Sequence, residues 1–520
     1  MNDNYETLYH LPEGTPQDEA PAREPVTYTK AERLLAVGAF AAGIGVVRLA
    51  MYHASGVLTT LLFWAIFAGQ LVFLKKNGQT LDRTAKLWAG VLFLFSCVFT
   101  VTASGLLKAL TVIFLLMAGT LFLLRQTSPE GVLRFLPVSL ALSVCAMPFA
   151  NYAAPFVAVT SGARSAGVWK KVGYVALGLL FAVPLTAIVG ALLCSADDGL
   201  SDMIDRLLQT PPEAVMTFIP HAIGGVLIGA GMCSAVFSSV RRTIVLDAAS
   251  TDKTLVSLRF VPPLFLYSAV TPLCVLFVLY IISQASYFLG GFTGQTGSLT
   301  YAEYARKGFF ELCAVCCISL AVIAAMGFFA KRGEDGRRPV VLRIYAAFLS
   351  LASLFIAGTA LAKMFLYIRI FGMTQMRVYT SWFIFLLVIG FISLLLRQIW
   401  ERLPLGRIAA AAFTIMFGLL CFSRPDAWIT RYNAEQYLAG HLEEFDTDVL
   451  IGSELSDDAW AALTAYDSAT LARLSEKIYQ KNVKNDTMAK DLRTVLKDYP
   501  THLDVWERMN VSAWQILLYR

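Results

Sequence analysis

The chain has 520 residues, of which 57% are hydrophobic and only 15% charged, with a mean hydropathy of +0.61. That is too apolar for a water-soluble fold of this length, and it points to an all-α, polytopic membrane protein. The net charge of +6 is unevenly placed: residues 423–520 hold eleven Lys/Arg against sixteen Asp/Glu, a net of −5, which leaves +11 on the remainder. Such a balance suits a protein lying among anionic lipids and gives no support for nucleic-acid binding.

Residues 1–33 carry seven acids against Arg23, Lys30 and Arg33, include four prolines and have no apolar core. They read as a disordered cytoplasmic tail and not as a cleavable signal peptide. A helix needs about 20 apolar residues to cross a bilayer. Runs of that kind are Leu34–Met51, Val57–Leu74, Leu87–Ala103, Leu106–Leu124, Val172–Cys194, Val215–Val240, Phe260–Ile282, Gly308–Ala330, Ile344–Leu361, Val378–Leu396 and Ile408–Phe422. The expected total is eleven crossings within 34–422. Lys108, near one end of its span, is expected to snorkel to the interface.

Val132–Val159 is apolar but broken by Pro137, Pro148, Asn151 and Pro155. If it crossed once, the cluster Lys331, Arg332, Arg337, Arg338 and Arg343 would fall outside, against the positive-inside rule. We therefore read 132–159 as re-entrant or interfacial. The alternating basic clusters then place the N-terminus inside and residues 423–520 outside.

From Ser423 the composition becomes that of a soluble segment, with apolar residues at helical spacing. It reads as a small extracytoplasmic helical domain (423–520) whose core includes Tyr437, Leu438, Leu450, Trp460, Leu463 and Leu474, with Ser456 as a helix cap before Asp457.

All nine cysteines (Cys97, Cys145, Cys194, Cys233, Cys274, Cys313, Cys316, Cys317 and Cys421) lie in apolar runs, where thiols serve as small hydrophobic groups. The five histidines are scattered without ligand spacing. No metal or cofactor is expected. There is no phosphate-binding glycine loop, nucleophile elbow or HExxH, so the expectation is that the protein is not an enzyme. The IGGVLIGAG run, with Gly225 and Gly229, has the spacing that lets two helices approach closely.

The stretch TYAEYARKGFFEL, Thr300–Leu312, sets Glu303, Arg306, Lys307 and Glu311 at the mouth of a span. A second basic cluster on the same expected side holds Lys363, Tyr367, Arg369, Arg377 and Tyr379. Outward positive charge of this kind needs a partner or a purpose. Arg306, Arg369 and Arg377, with Glu303, Tyr304 and Tyr367 around them, are the candidate site for an anionic ligand or head group, because guanidinium forks bind phosphate or carboxylate in two contacts. The alternative is internal neutralisation by Asp197, Asp198, Asp202 and Asp205.

TYAEYARKGFFEL, FLYIRIFGMTQMRVY, RPDAWITRYNAEQYL, SDDAWAAL, CSADDG and the closing NVSAWQILL together resemble a family of bacterial integral membrane proteins known as domain of unknown function 4173, from about Leu34 to the end. Where members of that family carry a further aromatic or basic residue in the closing motif, this chain has Ala513 and Gln515. The resemblance implies a multi-pass protein of the bacterial cytoplasmic membrane with a helical C-terminal part, and it supplies no activity.

The leading expectation is a non-enzymatic envelope platform for sensing, scaffolding or assembly. Its expected partners are membrane lipids, an anionic extracytoplasmic ligand and another membrane protein. The rival is a secondary transporter or flippase for an anionic or lipid-linked substrate. An intramembrane enzyme would need carboxylates facing a cavity, for which only Glu303, Glu311 and Asp197 are candidates.

Overall fold

The computed structural model describes residues 28–51, 56–128, 132–160, 213–292, 309–333, 338–442, 455–481 and 509–519, with isolated positions between 178 and 199 and at 492 and 496. Every regular element among them is helical, and the one β-contact is an isolated bridge between Val261 and Ala330. Ten stretches are long and apolar enough to cross a membrane, which makes the protein polytopic and all-α. Nine of the ten coincide with expected crossings, and the tenth is Leu136–Thr160. Of the other two expected crossings, Leu34–Met51 lies in the helix Lys30–Met51, and Val172–Cys194 falls outside the described stretches.

Two apolar cores hold the spans. The first joins Val46, Phe63, Phe99, Leu115 and Phe237 with Phe417 and Cys421 near the end of the last span. At its centre the helix Lys30–Met51 crosses Glu213–Val240 with backbone against backbone. A Cβ on Gly225 would sit 2.3 Å from Ile44 Cα, one on Gly229 2.3 Å from Ala39 O, and one on Gly43 2.0 Å from Gly225 O. The close spacing of Gly225 and Gly229 thus serves packing within the chain. The second core gathers Phe277, Cys316, Leu349, Ile356, Ile384 and Phe391 and reaches Ile429 beyond the last span.

Polar contacts define two faces. At one, Arg125 pairs with Asp82 at 2.7 Å, Arg241 with Glu32 at 3.1 Å and Arg134 with Asp252 at 2.7 Å. The Ser128 hydroxyl accepts from the Leu246 N–H at 2.7 Å. This is the basic face. At the other, the Val57 N–H donates to Met509 O at 3.0 Å, and Asn433 brackets Met373, accepting from its N–H at 2.7 Å and donating to its carbonyl at 2.8 Å. Lys30 and the helices after Phe422 therefore stand at opposite faces.

Leu136–Thr160 differs from the other spans. Its helix is interrupted by a π turn at Leu142–Ala146 and again at Asn151. Leu133 packs its carbonyl on Gly406 at the basic face, and the chain is still held there further on: Ser234 and Ser238 donate to Met147 O at 3.3 and 3.2 Å, while the Asn151 amide donates to Ser238 and Thr243 at 2.9 and 3.0 Å. Further on, the Tyr152 hydroxyl donates to Leu227 O at 3.1 Å and Phe156 packs against Phe40 at 5.1 Å between centroids, both well inside their partner helices.

Beyond Phe422 the helices Pro425–Leu438, Asp457–Leu463, Ser468–Lys481 and Val511–Tyr519 form a C-terminal module. Its core contains Tyr437, Trp460, Leu463, Leu471, Leu474 and Ile516, with Leu438 packed against it. Five of the six expected core residues are there; Leu450 lies outside the described residues.

Candidate functional site

The last span ends at Phe422, and the next helix starts three residues later at Pro425. Proline pushes the residue before it out of the α region. Arg424 takes φ 52, one of two positive-φ non-glycine residues among those described, at a cost of about 1–2 kcal/mol. The sharp turn that results sends its guanidinium under the module.

Asp458, in the first turn of Asp457–Leu463, is fully buried. One carboxylate oxygen accepts from the Thr102 hydroxyl at 2.5 Å and the Ala103 N–H at 2.8 Å, both at the junction of two spans. The other accepts from Arg424 Nε at 3.1 Å and from the Ser512 hydroxyl. Arg424 also donates to Gln515 at 3.0 Å. One carboxylate thereby ties the spans Arg83–Val101 and Gly105–Thr127, the end of the last span and the closing helix. Lys108 is buried within electrostatic reach of Asp457 and Asp458, which corrects the snorkelling expectation: its side chain stays inside the junction instead of reaching water.

Asp426 is a second hub, also fully buried. It accepts from Gln375 Nε2 at 2.8 Å and from the Ser456 hydroxyl and N–H at 2.6 and 3.2 Å. Ser456 does stand at the N-cap position, but its hydroxyl goes to Asp426 and makes no cap bond to its own helix. Next to it Gly372 has φ +78, and a Cβ there would meet the Asn433 amide oxygen at 2.8 Å, so the Asn433–Met373 bracket requires glycine.

Burial pushes the Asp426 carboxyl above its ordinary value of 3.8, the bonds from Ser456 and Gln375 offset part of that, and Asp458 adds to the rise. A raised carboxyl binds more protons folded than unfolded, so its contribution to stability falls as pH rises from 3.8 to the raised value and is constant above it. The stability of the wild type relative to Asp426→Asn should therefore fall with rising pH across that window. Thermal unfolding of both proteins over a pH series measures it; a difference that stays flat or rises would contradict the assignment.

Of the residues expected to converge on an anion, Glu303, Tyr304 and Arg306 lie outside the described residues. Tyr367 and Arg377 do meet, with the guanidinium 4.1 Å from the ring centroid. Arg377 also donates to the carbonyls of Phe371 and Gly372, where the helix Val340–Phe371 leaves carbonyls without partners. Its fork is thus engaged in closing a helix end. Arg369 is exposed on the same helix.

The groups missed by sequence reasoning are Asp426, Asp458, Arg424, Asn433 and Thr102. A signal existed: Asp-Ala-Trp occurs twice, at 426–428 and 458–460, each time opening a helix, and both aspartates became hubs. Gln515, a departure from the expected closing motif, is a partner of Arg424. Both carboxylates take their hydrogen bonds from within the chain, so the arrangement is suited to docking one part of the chain on another. Among the described residues no group of His, Cys, Asp and Glu could hold a metal ion.

No curated protein and no solved structure matches the chain. A family model does match, Domain of unknown function (DUF4153), over residues 89–466. Its number differs from that of the family suggested by the motifs, and its span stops short of the closing helix. Since that match takes in most of the spans and both aspartate hubs, the chain belongs to the DUF4153 family of uncharacterised proteins.

Proposed function

We propose that the protein is a non-enzymatic platform of the bacterial cytoplasmic membrane, presenting its C-terminal module on the outer side to another membrane protein. The observation that carries this reading is the pair of buried aspartate hubs. Burying two carboxylates is costly unless their oxygens find donors, and both find them between module and spans, Asp458 with Arg424 among its partners and Asp426 with Gln375 and Ser456, which holds the module in one orientation. Two grooves support the same reading. One, of about 560 Å³, is lined by Leu34, Gly38, Ala42, Ala65 and Gly69, and the other, of about 480 Å³, by Ile281, Phe348 and Leu351. Both are apolar, as a lipid-facing surface is and a path for an anionic solute is not.

The sidedness follows from the basic face being cytoplasmic. In this arrangement residues 132–150 lie along that face, consistent with the contacts of Leu133, Met147 and Asn151. The test uses Asp467→Cys, at an exposed position of the module. A membrane-impermeant maleimide should label it in intact cells, and a photo-crosslinker attached there should give one discrete adduct in native membranes. Labelling only after permeabilisation overturns the topology. No discrete adduct, together with solute uptake by reconstituted vesicles, favours a transporter.

A further inference from the structure

The basic face holds an arrangement that the docking network does not use. Four arginines meet there because backbone contacts bring the ends of their helices together. The Val261 N–H donates to Phe329 O at 3.1 Å and its carbonyl accepts from the Lys331 N–H at 2.9 Å, which sets Arg259 near Arg332. Arg343 donates to the Gln398 carbonyl at 3.1 Å and pairs with Glu401 at 3.2 Å. This second clamp draws the end of Gln375–Ile399, with Arg397, onto the start of Val340–Phe371, preceded by Arg338. A guanidinium nitrogen of Arg338 lies 3.7 Å from where a Cβ on Gly327 would be.

Like charges so placed repel. Burial, then Arg397 and Arg332, push Arg338 down to about 10, and burial followed by Arg332 lowers Arg259. The described carboxylates nearby are already engaged, Glu401 by Arg343 and Asp252 by Arg134. Arg338 and Arg397 make no hydrogen bond or ion pair with any described residue. An anion would relieve this repulsion and fill the donors of Arg338 and Arg397, while Arg332 is also engaged elsewhere.

The depth of the cluster narrows the choice. Phe260 and Trp400, 68% and 60% exposed, flank it together with Val340 and Ile399. Exposed aromatic groups at the end of a span mark the headgroup level of a bilayer. Several forked donors at that level match a group with multiple charged oxygens in a small volume, which is phosphate.

We propose that Arg338 and Arg397, flanked by Arg259 and Arg332, form a binding site for a phosphate group at the membrane boundary. The phosphate comes from a lipid headgroup of that leaflet or from a phosphorylated solute; the two sources share this chemistry. The competing neutralisers are Glu334 and Asp335, adjacent in sequence and outside the described residues. The site lies on the face opposite the module and stands whether or not the platform reading does.

The test uses the full chain in nanodiscs, with lipid retention followed by native mass spectrometry and stability by thermal unfolding. The wild type should retain phosphatidylglycerol over phosphatidylcholine by about tenfold, the effect of one charged hydrogen-bond pair. Arg338→Ala with Arg397→Ala should abolish the preference, while Arg431→Ala, at an exposed position of the module, should not. Inorganic pyrophosphate added to pure phosphatidylcholine discs distinguishes the source: a rise in the wild-type unfolding temperature, absent in the double variant, assigns a solute, and retention of phosphatidylglycerol without that rise assigns a lipid. If the wild type shows neither response, as it would with Glu334 and Asp335 already in the site, the proposal is overturned. A double variant that binds like the wild type overturns it as well.

Discussion

Asp458→Ala should release the C-terminal module from the membrane helices. The substitution removes the acceptor shared by Thr102, Ala103, Arg424 and Ser512. It leaves the Arg424 charge and the Ala103 N–H without their partner in a buried place. Breaking a buried ion pair by deleting one member costs about 3–5 kcal/mol, enough to unseat a module that presents only a modest core of its own. The expected readout in nanodiscs is early loss of residues beyond Phe422 to protease, with the spans still intact. Thr102→Val removes one donor and should cost only about 1 kcal/mol. If Asp458→Ala resisted protease as the wild type does, the junction would not be what holds the module.

Gly225→Val should prevent stable assembly of the first core. The added Cβ would meet the backbone of Ile44, 2.3 Å from Cα and 2.6 Å from N, and a helix backbone cannot yield as the tip of a side chain can. Overpacking of this kind costs about 1–3 kcal/mol where side chains can shift, and more where they cannot. Gly38 lies on the same helix as Ile44 and has nothing within 4 Å of its Cβ position. Gly38→Ala should therefore be neutral, or stabilising by up to about 1 kcal/mol through helix propensity. The fraction of monodisperse protein after detergent extraction, followed against temperature, separates the two. Equal behaviour of both variants would refute the close crossing.

A long apolar run has one low-energy state in a bilayer, because a helix satisfies its own backbone there, and that made nine of the ten long apolar helices legible to within a few residues at most ends. The module's core was readable for a related reason: Trp460, Leu463 and Leu474 recur at helical spacing, and burying that face is the dominant gain in water. The close crossing at Gly225 and Gly229 was readable as a spacing, though its partner helix was not.

What the sequence by itself determined, then, is a polytopic all-α protein with a helical C-terminal module and a strongly basic face. Only the tertiary structure decided which charges matter to one another. Asp458 meets Thr102 across 356 positions of chain, and no local pattern encodes a pairing at that distance. A guanidinium beside aromatic residues looks alike in sequence whether it faces a ligand or closes a helix end; the bonds of Arg377 to the carbonyls of Phe371 and Gly372 depend on directions fixed only by the fold. In the same way Arg338 and Arg397 lie far apart in the chain, and the clamp from Arg343 to Gln398 brings them to one place. Hydrophobic patterning is a local property of the chain, whereas electrostatic pairing depends on distance in space.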